Sequence, residues 1–200
     1  MSLREIHPYG EFIPKGAKAM IVGTFPASKF TGPQKLLSAG DIDFSYGDKR
    51  NQLWKLMGNA FRCDVDSVEM VKAMLTKRGI AVGDVVLSCV RSPQGGSEDK
   101  CLFEFEWNKG LLAKIQSNHI SKLLFTSKIA QEWFSKYIFP GNSFTETILP
   151  SPSPTALRAY PSNPEYVAWL AENPGKRPSD FRVVRYAEVF SDAAFPRISG

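Results

Sequence analysis

Four short apolar stretches, separated by amphipathic ones, restrict what this chain can fold into more than any other feature. They are KAMIVGTF at 18–25, GDVVLSCV at 83–90, ISKLLFT at 120–126 and FTETIL at 144–149. Each is short, apolar and rich in β-branched residues, the pattern of a strand covered on both faces. Between them the apolar residues recur at helical spacing. Residues 51–61 put Leu53, Trp54, Met57, Ala60 and Phe61 on one stripe, and 128–137 do the same with Ile129, Trp133 and Tyr137. Residues 107–117 carry Leu111, Leu112 and Ile115, and 66–78 open with Asp66 and Glu69 at capping-box spacing before Gly79. Past Pro150 the chain turns irregular, then offers helices at 164–172 and 179–190, where VVRYAEVF also reads as a strand. Strands alternating with helices predict a parallel sheet joined by right-handed crossovers. The expected fold class is therefore α/β, a three-layer α/β/α sandwich around a central four-stranded, mainly parallel sheet. With no linker or repeat to divide it, the chain of 200 residues reads as a single domain over 1–200.

Composition narrows the function classes less sharply. Hydrophobic residues at 43% and charged ones at 22% are ordinary for a globular protein. No apolar run approaches the roughly 20 residues that cross a bilayer. The first residues include Glu5 and lack an apolar core, so the expectation is a cytoplasmic chain without a secretory signal. A net charge of +5 permits a polyanionic partner without requiring one. The three cysteines, Cys63, Cys89 and Cys101, form no CxxC pair, and His7 and His119 are the only histidines. Metal sites of the common kinds need about four such ligands at close spacing, so neither a metal nor a cofactor is expected.

Two loops concentrate the chemistry. GTFPAS at 23–28 leads into YGDKRNQLW at 46–54, and LPSPSPTALR spans 149–158. Both follow an apolar strand-like run and break into Pro and Ser. In open α/β sheets ligands bind beyond the carboxyl ends of strands. The loops after Phe25, after Cys89 and after Leu149 are therefore expected to converge on one cleft.

These two motifs together resemble the uracil-DNA glycosylase superfamily. GTFPAS is similar to its strand followed by a glycine-started, proline-containing turn, and LPSPSP to its Pro-Ser loop. Most members place Asp or Asn before the proline to activate water, where this chain has Phe25. One branch, the mismatch-type and hypoxanthine-DNA glycosylases, uses instead an Asn in a downstream Tyr-x-His-Pro-Arg-Asn-x-x-Trp segment. The chain matches that segment at Tyr46, Arg50, Asn51 and Trp54, with Asp48-Lys49 in place of His-Pro. Leu149 stands where ordinary uracil glycosylases have a histidine that polarises the base.

The resemblance implies a monofunctional DNA glycosylase of base excision repair, acting on uracil or hypoxanthine as a monomer, without metal or membrane. It assigns Asn51 to positioning the attacking water. Asp48 is either a second catalytic group or a helix N-cap. Gly23, Thr24, Phe25 and Ser88 would line the base pocket, and Phe44 and Tyr46 either stack on the base or belong to the core. Ser97, Asp99 and Arg91 would form its rim. Ser151, Ser153, Leu157 and Arg158 would meet the DNA, the last two as a wedge in the minor groove. Lys29 and Lys49 read as phosphate contacts or solvated charges. A DNA-binding member without turnover and a hydrolase of free nucleosides are the alternatives.

Overall fold

The computed structural model describes residues 3–32, 35–92, 99–141, 143–191 and 193–195. Its strands in chain order are β1 (Arg4–Ile6), β2 (Ala19–Gly23), β3 (Ile80–Asp84), β4 (Val86–Arg91), β5 (Leu102–Trp107), β6 (Lys122–Phe125) and β7 (Thr145–Ile148). The helices are α1 (Ser28–Thr31), α2 (Leu53–Phe61), α3 (Val68–Arg78), α4 (Gly110–Ser117), α5 (Lys128–Trp133), α6 (Pro164–Glu172) and α7 (Pro178–Val189).

The central sheet has four strands in the order β3-β2-β6-β7, and each of its pairings is parallel. Side chains alternate across it with period two. Ala19 and Ile21 pack to one side with Ile80, Val82 and Leu124, while Met20 and Val22 pack to the other with Ala81, Leu123 and Phe125. The first side is covered by α2, α3 and α7 through Leu53, Met57, Val71, Leu75 and Tyr186. The second is covered by α4 and α5 through Leu111, Ile115 and Ala130. The three expected layers are present. Strands buried on both faces explain why their sequences read as continuous apolar runs.

The run at 83–90 is divided between two sheets, contrary to expectation. The part that joins the central sheet is β3, an edge strand that begins at Ile80 and ends at Asp84, in register with Gly23 of β2. After it, the Val85 and Val86 amides donate to the carbonyls of Gly23 and Thr24, and the ladder to β2 stops there. β4 then joins an antiparallel sheet in the order β1-β4-β5. Both halves are β-branched, so local propensity could not mark the break.

Helix boundaries shift for similar local reasons. The stretch expected to be helical from Trp107 begins only at Gly110, because LFEFEW alternates Phe103, Phe105 and Trp107 with acids and forms β5. α3 is capped by Ser67, whose hydroxyl accepts the Met70 amide, rather than by Asp66, and Gly79 closes it at φ 62°. α5 widens past Trp133 into a π-helical turn at Phe134–Ile138. α6 has the expected bounds, and VVRYAEV is helical within α7, with Phe190 as its C-cap.

Candidate active site

The carboxyl ends of β2 and β3 form a polar floor. Gly23 ends β2 because nothing larger fits: a Cβ there would lie 1.7 Å from Tyr46 Oη and 2.5 Å from Asp84 Oδ1. Tyr46 sits above it in the left-handed region, at φ 60°, a conformation costly for an aromatic residue and common at functional sites. Its hydroxyl donates to Asp84 Oδ1 at 3.1 Å and lies 3.4 Å from Thr126 Oγ1, just past β6. Burial and the Asp84 charge push the Tyr46 pKa well above its ordinary value, so the phenol stays a donor.

The other oxygen of Asp84 is held by His7, which arrives from the distant end of β1 with Nε2 at 2.7 Å. The Tyr9 amide points at His7 Nδ1. That ring nitrogen therefore accepts, and Nε2 carries the hydrogen that Asp84 receives. Thr24 donates from Oγ1 to Asp99 Oδ1 at 2.7 Å, and Arg91 donates to the Pro26 carbonyl. These contacts bring the segment after β4 onto the GTFPAS turn. Burial, seconded by the neighbouring Asp84 charge, raises the Asp99 pKa, against the Thr24 hydroxyl and the Arg91 charge. Phe25 meets His7 edge-on, with ring centroids 5.9 Å apart. Ser97 lies outside the described residues.

The rim is built on ion pairs. Lys29 binds Asp41 at 2.7 Å and Asp48 at 3.2 Å, so it is an internal clasp rather than a phosphate contact. Asp48 also receives the Arg50 amide and guanidinium. Burial alone would raise its pKa, but Arg50 and Lys29 outweigh that and hold it down at about 2. Asp48 is not the N-cap of α2: that position is Gln52, and the first-turn Leu53 amide is taken by Asn51 Oδ1 at 3.0 Å. Asn51 lines a polar cleft of about 430 Å³ with Tyr46, Asp48, Trp54 and Asn59, within the size range of small-ligand sites. Lys49 is exposed and reaches the Ala39 carbonyl.

The second loop meets the first directly, because the Gln52 amide donates to the Pro152 carbonyl at 3.1 Å. Asn51 and Ser151 are each one residue from that bond. With the Thr24–Asp99 and Arg91–Pro26 contacts, it links the first loop to both of the others. The cleft beside Asn51, however, is lined by the first loop, α2 and the turn after it, and 93–98 lies outside the described residues. Leu149 is buried in the core beside α2 and α7, so it turns no group toward the cleft. Ser151 and Ser153 are half-buried, and Ser153 Oγ pairs with Thr155. Leu157 rests against the Tyr160, Tyr166 and Phe181 cluster, while Arg158 is exposed on the 3₁₀ segment Pro154–Ser162. Of the pair, Arg158 has the free reach that a wedge needs.

Two expected base contacts fall elsewhere. Phe44 is in the core, stacked on Trp54 at 5.9 Å and met edge-on by Phe12. Its place in the irregular stretch before Tyr46 carries no sign of which face is covered. Ser88 is buried in β4, donating to Glu106 Oε2 and accepting from Arg4. The division of the 83–90 run explains this, since the residue at the carboxyl end of β3 is Asp84. Sequence reasoning passed over Asp84, His7 and Thr126. For Asp84 the signal was available, as a lone acid inside an apolar run.

Among the described residues no group of three or more His, Cys, Asp or Glu side chains is placed to hold a metal ion, and no helix is long and apolar enough to cross a membrane. No curated protein matches the chain significantly. The fold is similar to the solution NMR structure of a "putative Uracil DNA glycosylase" from Methanosarcina acetivorans, at TM-score 0.59 and 18% identity, covering 94% of this chain and 97% of that one. The family model of the uracil DNA glycosylase superfamily matches residues 10–177, which include both motif loops, so the chain belongs to the uracil DNA glycosylase superfamily.

Proposed function

We propose that this protein is a monofunctional DNA glycosylase that hydrolyses the N-glycosidic bond of a flipped uracil or hypoxanthine. The observation that carries the reading is the Gln52–Pro152 bond, which seats the Asn51 end of α2 against the Pro-Ser loop at the carboxyl edge of the sheet. In the reaction, water attacks the anomeric carbon as the bond to the base breaks, and the base departs with the bonding electrons. Asn51 is the water-positioning group, because Phe25 and Leu149 offer none and Asp48 is clasped by two cations. Its Oδ1 has a second lone pair beyond the Leu53 bond, and its amide group donates as well. The net charge of +5 suits approach to a duplex, with Arg158 the wedge candidate.

A base-release assay on duplexes bearing uracil, hypoxanthine, xanthine or mismatched thymine tests the reading. Release from the uracil or hypoxanthine duplex is the expected result. Lesion binding without release on any duplex would favour a member that has lost turnover, the reading to which Phe25 and the clasped Asp48 point. Turnover confined to free nucleosides would assign a small-molecule hydrolase instead.

A further inference from the structure

α7 begins at Pro178, after the last residue matched by the superfamily model, yet two of its side chains reach the middle of the site. Arg182 and Tyr186 stand one helical turn apart on the same face. Arg182 is fully buried. Its guanidinium donates to the Ser151 carbonyl at 2.9 Å and the Ser153 carbonyl at 3.0 Å, and also to Gln52 Oε1. Tyr186, fully buried as well, donates from its hydroxyl to the Pro150 carbonyl at 3.0 Å. Three carbonyls of the Pro-Ser loop and the residue next to Asn51 are thus gathered by one helix face.

The charge makes this arrangement unusual. Among the described residues no carboxylate pairs with Arg182, and its Nε has no hydrogen-bond partner. Burial draws its pKa below the ordinary guanidinium value, although a group of this kind stays protonated at neutral pH. Burying a cation without a counter-charge is costly, and hydrogen bonds to it offset part of that cost. Here they are made to backbone carbonyls that helix and strand cannot serve. The loop is PSPSP over 150–154, so its prolines supply no amides, and those at Ser151 and Ser153 are the only backbone donors in it. Fixing the carbonyls toward α7 fixes the direction of those remaining groups. The planar fork suits two carbonyls and an amide oxygen at once, which an ammonium on a flexible stem would not match.

We infer that Arg182, assisted by Tyr186, is a positioning residue that locks the Asn51 segment to the Pro-Ser loop in the geometry needed for base release. For its kinetic consequence this rests on the glycosylase reading, but the locking itself does not.

The test compares wild type with Arg182→Met, which keeps the stem's bulk and removes the charge, Arg182→Lys, and the milder Tyr186→Phe. Amide hydrogen exchange is followed at Gln52, with Ile21 and Val22 of β2 as internal references. The Gln52 amide in Arg182→Met should lose about tenfold or more of its protection while β2 keeps its own, because the opening is local. Base release should fall about 10²-fold in kcat with KM nearly unchanged, as misplacement of a site by about 1 Å costs that much. Arg182→Lys should recover part of the loss, and Tyr186→Phe should show the smallest effect. Unchanged Gln52 protection in a folded Arg182→Met overturns the lock, whether or not the wild type has activity. If Arg182→Met fails to fold, unchanged Gln52 protection in a folded Arg182→Lys overturns it equally. Lost protection with unchanged kcat overturns the role in positioning. A wild type that releases no base from any duplex overturns the glycosylase reading alone and leaves the exchange measurement to decide the lock.

Discussion

The site holds two pairs of acids with opposite surroundings. At the rim, Asp41 and Asp48 share Lys29, and Asp48 adds Arg50. At the floor, Asp84 is held by His7 and Tyr46, and Asp99 by the Thr24 hydroxyl. Both rim acids have lowered pKa values, because cations and backbone amides outweigh the burial that would raise them. Asp99 moves the other way, since burial and a neighbouring acid dominate. Identical side chains thus take separate tasks. The rim pair is charged scaffolding, and at the floor Asp99 is the acid whose ionisation burial opposes.

The sharpest way to break this contrast is kinetic. Under the proposed function, Asn51→Ala should lower base release by about 10²–10⁴-fold, the loss typical of a positioned catalytic group. Lesion-duplex affinity should hold, and loss of the bond to the Leu53 amide should cost only about 1 kcal/mol of stability. Asp48→Asn should retain most activity. The reverse pattern in single-turnover assays would make the rim carboxylate the base and end its description as scaffolding.

Gly23→Ala tests the floor by packing. The added methyl would enter the space of Tyr46 Oη and Asp84 Oδ1, and overpacking of this kind costs about 1–3 kcal/mol. Denaturant midpoints should fall accordingly, and an unshifted midpoint would show that the floor is not close-packed.

Acid titration separates the pairs further. Asp48 has a folded pKa near 2, below its unfolded value. The folded state therefore holds the proton less tightly, and the stabilisation is present above the ordinary carboxylate pKa of about 3.9. It is lost as pH falls from there through about 2, an effect of about 1–2 kcal/mol that Asp48→Asn should abolish. Unfolding free energies for both proteins between neutral pH and pH 2 would check this. Parallel curves would remove the clasp.

The smallest effect carries the opposite sign. Because the Asp99 pKa is raised, its ionisation weakens the fold as pH climbs above the ordinary carboxylate range. Asp99→Asn, which can still accept from Thr24, should be more stable than the wild type at pH 7. That gain should vanish below about pH 4. Thermal melts at both pH values measure it, and destabilisation at pH 7 would place Asp99 among the scaffolding acids.

How much of this was legible in the sequence depended on the range of the signal. The bounds of α6 were readable because Asn163, Pro164 and Asn173 bracket a single amphipathic stripe. The strand-end Pro-Ser loops were readable because prolines and serines interrupt apolar runs. The 83–90 run was misread as one strand, and Ser88 with it, because β-branched residues mark extended backbone without naming the sheet it joins. Phe44 was undecidable by pattern, since an aromatic next to a loop serves a core or a ligand equally well. The alternation in LFEFEW was visible and would have shortened the α4 helix at its start.

Local sequence determined the alternation of strands and helices that builds the central parallel sheet, the Gly79 stop of α3, and the Pro-Ser loops that follow β2 and β7. Those are preferences of backbone dihedrals and side-chain periodicity acting over a few residues. Only the tertiary structure decided that His7 would bind Asp84, that Lys29 would divide itself between Asp41 and Asp48, and that Arg182 would hold both Gln52 and the Pro-Ser loop. These partners lie up to 130 residues apart in the case of Arg182 and Gln52. Each pairing exists because packing of the layers leaves a buried donor beside a buried acceptor, and the free energy of satisfying both is set by that enclosure rather than by any neighbouring residue.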